Sequence, residues 1–219
     1  MSDSLLALLM LGLFPCWATA AGPKPQAIAT KLQERYNGIN SIEADFQQET
    51  LIRALNQRRY NSGKVFLKKP ARMRWIYDKP QRQEIISDGK AIWIHLPVEK
   101  RAYRYEAEDY LSSQVAMSFL LGKGNFERDF NVSVPPETET GFHLLTLAPR
   151  APHPQINEMT LWIDKETFNI RKILSKDHLG NTTVLSLDNQ RVNKPLTKGI
   201  FSFTPPEGTE IMNKGLLRN

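Results

Sequence analysis

The fold is decided by residues 69–89, which read KPARMRWIYDKPQRQEIISDG. This stretch holds two strand signals, two prolines and an Asp88-Gly89 dipeptide, which is a strong signal for a tight turn between antiparallel strands. Aromatic and cationic residues alternate along it, and it contains no catalytic nucleophile, metal-binding motif or phosphate-binding loop. We interpret the stretch as part of a binding surface rather than a reaction centre.

Strand patterns continue on both sides of this stretch. Apolar residues recur at every second position from Ile42 onward, and Gly180-Asn181 gives a second hairpin signal. Many short strands joined by turns predict a mainly β chain whose antiparallel meander curls into a barrel or half-barrel. The eleven predicted strands cover residues 42–47, 63–69, 72–77, 84–87, 91–96, 101–105, 130–134, 142–147, 159–164, 170–177 and 182–192.

Two segments have helical rather than strand patterns. Apolar residues at helical spacing from Ile28 to Ile39, with Pro25 near the start and Asn37-Gly38 near the end, predict an N-terminal helix. Residues 109–121 predict a second helix, and its half 115–121 is apolar nearly all round. Because a surface helix needs only one apolar face, this half is either packed permanently in the core or rests against something not always present.

The first 21 residues differ from the rest and predict an export signal. Residues 5–14 form an apolar run, and Ala18-Thr19-Ala20 offers small residues for cleavage, although the start carries Asp3 and no Lys or Arg. We therefore expect a signal peptide over 1–21 and a single domain over 22–219. The only cysteine, Cys16, lies in the signal, so the exported chain would be a soluble protein with neither disulfide nor lipid anchor.

The chain is basic, with a formal net charge of +6 that becomes +7 once the signal, whose only charged residue is Asp3, is removed. A basic surface suits nucleic acid, anionic lipid or an acidic protein patch. The cations are spread along the sequence without a nucleic-acid-binding motif, and export would remove the usual partner. This leaves anionic lipid or an acidic protein patch as the expected partner of the basic surface.

The alternation of residues in two neighbouring predicted strands, 63–69 and 72–77, predicts that their apolar side chains form one continuous surface, which we call the apolar wall. Residues two apart in a strand share a face, so Met73, Trp75 and Tyr77 project together, and Val65 and Leu67 are in phase with Lys69 in the same way. The pattern also fits an ordinary sandwich core with a solvated lysine at its edge.

Several pieces of the chain together resemble the periplasmic outer-membrane lipoprotein carrier family, LolA. In order they are the N-terminal helix, the strand ADFQQ at 44–48, the block from 69 to 93, and FSFTPPEG at 201–208. The resemblance implies a half-open antiparallel β-barrel with an apolar concave face and an internal helical lid. It also implies a basic residue just before the first proline of the block that handles cargo, which here is Lys69 where better-known members carry Arg.

A carrier of this kind has defined partners. The resemblance implies a monomeric periplasmic protein that binds the acyl chains of lipoproteins, is loaded by an inner-membrane lipoprotein-releasing ABC transporter, and delivers to an outer-membrane lipoprotein receptor. We expect Lys69 at the rim of the binding site, and Ile92 and Ile94 could face inward instead of Trp93. The expected lipid-binding residues are Phe46, Val65, Leu67, Met73, Trp75, Tyr77, Trp93, Val115, Phe119 and Leu120.

Two other functions stay open at this point. One is a lipid or envelope-stress sensor, or a carrier of another lipid, on the same scaffold. The other is an exported hydrolase, but the four histidines are scattered singly and none has metal-ligand spacing or a glycine-flanked serine beside it. We therefore expect no catalytic residue, metal, cofactor or nucleic-acid partner.

Overall fold

The computed structural model describes residues 24–107 and 124–213. Within them lie two α-helices, α1 (Pro25–Asn37) and α2 (Phe126–Asp129), and three short 3-10 helices at Arg53–Leu55, Pro97–Glu99 and Lys198–Phe201. The strands are β1 (Ser41–Ile52), β2 (Gln57–Lys68), β3 (Arg72–Lys79), β4 (Gln83–Asp88), β5 (Ala91–Leu96), β6 (Arg101–Glu106), β7 (Phe130–Ser133), β8 (Phe142–Pro149), β9 (Glu158–Asp164), β10 (Ile170–Lys176), β11 (Thr182–Val192) and β12 (Glu210–Asn213).

All twelve strands of the described part form one sheet. Its order is β12-β6-β5-β4-β3-β2-β1-β11-β10-β9-β8-β7, so β12 and β7 are edges and the sheet does not close on itself. Every pairing is antiparallel except that of β12 with β6. The open, mainly antiparallel sheet confirms the predicted fold.

Helix α1 covers one end of the sheet, on the face that we call the inner face. Its buried residues Ile28, Leu32 and Tyr36 join a continuous apolar core with side chains of the strands. The Ile170 backbone N–H donates to the Tyr36 hydroxyl at 3.2 Å, and Arg35 Nε donates to Asn169 Oδ1 at 3.0 Å. These bonds fix the end of α1 against β10 and the turn before it.

The structure differs from the sequence prediction most clearly in two strands. Strand β12 was not predicted, because all four of its residues are exposed and no alternation marks it. Strand β2 starts at Gln57, six residues before the predicted start at Gly63, because the polar residues between them pair along β1 from Gln47 to Ile52. The predicted signal and the helix over 109–121 lie outside the described residues.

Candidate functional site

The register places one row of apolar side chains across the inner face. Trp75 of β3 lies opposite Val65 of β2 on one side and Ile85 of β4 on the other, and Ile85 lies opposite Ile94 of β5. Because directly opposed residues of antiparallel strands project to the same side, these four side chains form one wall. The wall continues beyond β1 through β8–β11 with Leu145, Leu147, Met159, Leu161, Ile173, Leu185 and Leu187.

Three aromatic rings form the centre of this wall. Phe46 meets Trp75 edge-on with ring centroids 4.8 Å apart, and meets Tyr77 edge-on at 5.0 Å. Gly63 of β2 stands between Phe46 and Tyr77 in the register. Since glycine has no side chain to separate them, the two rings touch across it.

Exposure and polarity both increase along the inner face, away from α1. Met73 is 1% exposed and Trp75 5%, whereas Tyr77 is only partly buried. On β1 the buried Phe46 is followed on the same face by the half-buried Gln48 and then by Thr50, whose hydroxyl bonds that of Thr183. The inner face is therefore apolar where α1 covers it and becomes polar toward the β1–β2 turn, and we call its apolar part the hollow.

The Lys69 side chain lies at the covered end of the hollow. Its ammonium donates a hydrogen bond to the backbone carbonyl oxygen of Tyr36, in the last turn of α1. Partial burial lowers the pKa of Lys69 from its ordinary value, because leaving water disfavours the charged form. Lys69 is thus a half-buried cation that already bonds the end of a helix.

The structure corrects the prediction for Trp93. Its register partner is Ile86, which lies on the face opposite Ile85, so Trp93 projects to the outer face of the sheet. There its ring packs on Phe203, with centroids 5.4 Å apart. The residues of β5 that face the hollow are its neighbours Ile92 and Ile94.

The structure brings together the predicted residues of β1, β2 and β3. Val65 and Leu67 are buried in the same cluster as Phe46, Met73 and Trp75. Val115, Phe119 and Leu120 lie outside the described residues. The part of the wall contributed by β4 and by β8–β11 was not predicted, although the same two-residue alternation runs through each of these strands.

The outer face carries a separate polar and aromatic cluster. Arg74 pairs with the buried Glu84, and His95 lies opposite Glu84 in the register. Phe203 covers the His95 ring at 5.0 Å. Desolvation lowers the pKa of His95 and outweighs the opposite influence of the Glu84 carboxylate.

Across residues 24–107 and 124–213, no three or more His, Cys, Asp or Glu side chains are grouped so that they could hold a metal ion. None of the helices described there has the length and apolar character that crossing a bilayer requires.

Comparison with known proteins identifies a matching family. Residues 37–204 match the family model described as outer membrane lipoprotein carrier protein LolA. The chain is 28% identical over 193 residues to an outer-membrane lipoprotein carrier protein of Nitrosomonas europaea, covering 87% of this chain and 91% of that protein. It is 27% identical over 195 residues to the protein of that name from Cupriavidus necator, covering 88% and 90% of the two chains.

A solved structure shares the fold at low identity. An uncharacterised conserved protein from Thermus thermophilus aligns with a TM-score of 0.56 at 13% identity, covering 86% of this chain and 98% of that one. A LolA superfamily protein from Nitrosomonas europaea aligns with a TM-score of 0.47 at 17% identity, covering 83% and 98%.

Proposed function

Because this chain belongs to the outer membrane lipoprotein carrier family, LolA, we propose that its hollow binds the acyl chains of lipoproteins and carries them through the periplasm. The observation that carries the proposal is the gradient along the inner face, from buried Met73 and Trp75 to half-buried Gln48 and Thr50. An acylated protein has the same gradient, with apolar tails and a polar end.

The energetics of acyl chains support a carrier rather than free diffusion. Burying a methylene contributes roughly 0.8 kcal/mol, so exposing one sixteen-carbon chain to water costs on the order of 12 kcal/mol. A protein that crosses an aqueous compartment with several such chains must cover them. An open sheet with one apolar face provides that cover without enclosing the protein part of the cargo.

The carrier needs a supplier and a recipient. We propose an inner-membrane lipoprotein-releasing ABC transporter as the loading partner and an outer-membrane lipoprotein receptor as the unloading partner. Delivery to the receptor is downhill only if the receptor holds the acyl chains more tightly, so the hollow should bind them with moderate affinity. Residues 1–21 would direct export, and the carrier would act as a monomer without catalysis.

An empty hollow should not stay open to water, because a large exposed apolar patch promotes aggregation. From its sequence, the apolar segment 115–121 is our candidate for a movable cover that fills the hollow until cargo arrives. Hydrogen exchange in this segment should rise when an acyl ligand binds. Identical exchange with and without ligand would contradict a movable cover.

The carrier function can be tested by comparing the binding of a lipoprotein with and without its acyl chains. The purified protein without residues 1–21 is mixed with an outer-membrane lipoprotein in detergent, and the detergent is then removed. We expect a water-soluble complex with the acylated lipoprotein in size-exclusion chromatography and native mass spectrometry. The same lipoprotein made without acylation is the matched control. Equal binding of both forms, or of neither, would contradict the proposal.

Lys69 is our candidate for the cation that handles cargo. Its bond to the Tyr36 carbonyl oxygen connects α1 to the strand end that leads into the hollow. A Lys69→Glu change would place a carboxylate against that carbonyl oxygen, and we expect it to reduce transfer of a lipoprotein to the receptor. Lys68→Glu, one residue away, is the control and should transfer normally. Normal loading and delivery by the Lys69→Glu protein would show that Lys69 does not handle cargo.

A further inference from the structure

Two buried side-chain nitrogens in the described part of the chain lack a hydrogen-bond partner, and they lie on opposite faces of the sheet. One is Arg74 Nε on the outer face. The other nitrogens of that guanidinium bond Glu84 and the Ile200 carbonyl oxygen, so the group as a whole is well satisfied. The second is Trp75 Nε1, on the inner face. It is the only polar atom of its side chain.

The position of Trp75 makes this free donor unusual. The side chain is 5% exposed, lies edge-on to Phe46 and stacks on Tyr77 with centroids 6.3 Å apart. A buried tryptophan normally finds an acceptor for its N–H, because an unpaired buried donor lowers stability. A phenylalanine would fill an apolar wall without this cost. The donor is therefore better explained by an acceptor that is supplied from outside the chain.

We propose that Trp75 Nε1 donates a hydrogen bond to the carbonyl oxygen of an ester or amide that links an acyl chain to its cargo. This inference rests on the proposed carrier function and adds a specificity-determining residue to it. The hollow then recognises an acylated molecule by its carbonyl group as well as by its hydrocarbon.

The surroundings of Trp75 give the ligand one orientation. Toward α1 the inner face is apolar and buried at Met73 and Leu67, whereas in the other direction it continues through half-buried Tyr77 to Gln48. A carbonyl group at Trp75 would therefore have its hydrocarbon tail toward α1 and its polar end toward the β1–β2 turn. Trp75 lies between the apolar and the polar part of the inner face, where we expect the bond that links the acyl chain to its headgroup.

The test compares two ligands that differ in the acceptor. Methyl laurate has an ester, and tetradecane has a similar length with no acceptor. Each is titrated against a fluorescent fatty-acid probe bound to the wild type, to Trp75→Phe and to Trp93→Phe. The ratio of the two dissociation constants, compared between proteins, cancels the different water solubilities of the ligands. Trp93→Phe is the matched control, since its indole lies on the outer face.

We expect the preference for methyl laurate over tetradecane to fall about tenfold in Trp75→Phe, which is the size expected for one hydrogen bond made inside an apolar site. Trp93→Phe should keep the wild-type preference. An unchanged preference in Trp75→Phe would overturn the proposed hydrogen bond while leaving the carrier function intact. A wild-type protein that binds neither ligand would overturn the carrier function itself, and with it this inference.

A second measurement needs no change at Trp75. The indole N–H resonance of Trp75 is assigned in nitrogen-15 spectra of the protein without residues 1–21, which also removes Trp17, by comparison with Trp93→Phe and Trp162→Phe proteins. Methyl laurate should shift this proton downfield, as a new hydrogen bond does, and tetradecane should not. Equal shifts with both ligands would contradict the proposed bond even if Trp75→Phe does not fold.

Discussion

Arg74 Nη1 donates a hydrogen bond to the backbone carbonyl oxygen of Ile200, 3.0 Å away. This bond holds the segment that follows β11 against the outer face of β3. Further along the same segment, Phe203 covers the rings of Trp93 and His95. The aromatic residues on the two faces of the sheet therefore have different structural roles. The outer cluster joins the C-terminal segment to the sheet, and the inner cluster lines the hollow.

The Arg74–Glu84 ion pair should contribute strongly to stability. The Glu84 side chain is 8% exposed, so Arg74→Ala would leave a buried carboxylate with little compensation. Removing one partner of a buried pair costs about 3 kcal/mol, which should appear as a lower free energy of unfolding in urea titrations. Arg82 also contacts Glu84, but its side chain is 64% exposed. Arg82→Ala should therefore cost less than about 1 kcal/mol, and equal losses in the two variants would contradict this assignment.

Gly63 should tolerate no side chain. A Cβ atom there would lie 1.8 Å from the Ile76 carbonyl oxygen, so Gly63→Ala must push β2 and β3 apart. We expect a loss of about 2 kcal/mol or more in the free energy of unfolding. At Gly199 an added Cβ meets nothing within 4 Å, and Gly199→Ala should stay within about 0.5 kcal/mol of the wild type. A neutral Gly63→Ala would show that the two strands are not packed as described.

Tyr36 should make the protein sensitive to alkali. Burial raises the pKa of its phenol from 10.0 to about 12, because the charged form is disfavoured away from water. Between these values the folded chain keeps a proton that the unfolded chain has lost, so stability falls as pH rises. Once Tyr36 is ionised in both the folded and the unfolded chain, this group alone has lowered the free energy of unfolding by about 2 to 3 kcal/mol.

The control for this pH dependence is Tyr36→Phe. This variant loses the acceptor for the Ile170 N–H and should be about 1 kcal/mol less stable at neutral pH. Its free energy of unfolding should nevertheless fall less steeply than that of the wild type as pH rises above 10.0. Parallel curves for the two proteins would contradict the burial of the phenol.

Local alternation was enough to predict which residues of β3 share the inner face. Met73, Trp75 and Tyr77 share a face because they belong to one strand, and no knowledge of neighbouring strands is needed. The face of Trp93 depends in addition on the register across two turns. A shift of one residue in either turn would reverse its direction, and the sequence does not fix the longer turn between β3 and β4.

Other features had no local signal at all. Strand β12 has four exposed residues and is held by backbone pairing to β6, which is distant in sequence. Phe46 contacts Tyr77 because Gly63, which has no side chain, lies between them in the sheet. This arrangement is seen only when the pairing of all three strands is known. The sequence therefore predicts elements and faces, whereas contacts between distant strands required the structure.

Two adjacent residues of β5 can test whether acyl chains bind against the inner face. A photoreactive benzoylphenylalanine replaces Ile94 in one protein and Trp93 in another, since the two half-buried side chains project to opposite faces. After illumination with an acylated lipoprotein, mass spectrometry identifies the modified residue. We expect an acyl-chain adduct at position 94 and none at position 93. No adduct at position 94, or equal adducts at both positions, would show that acyl chains do not bind specifically against the inner face.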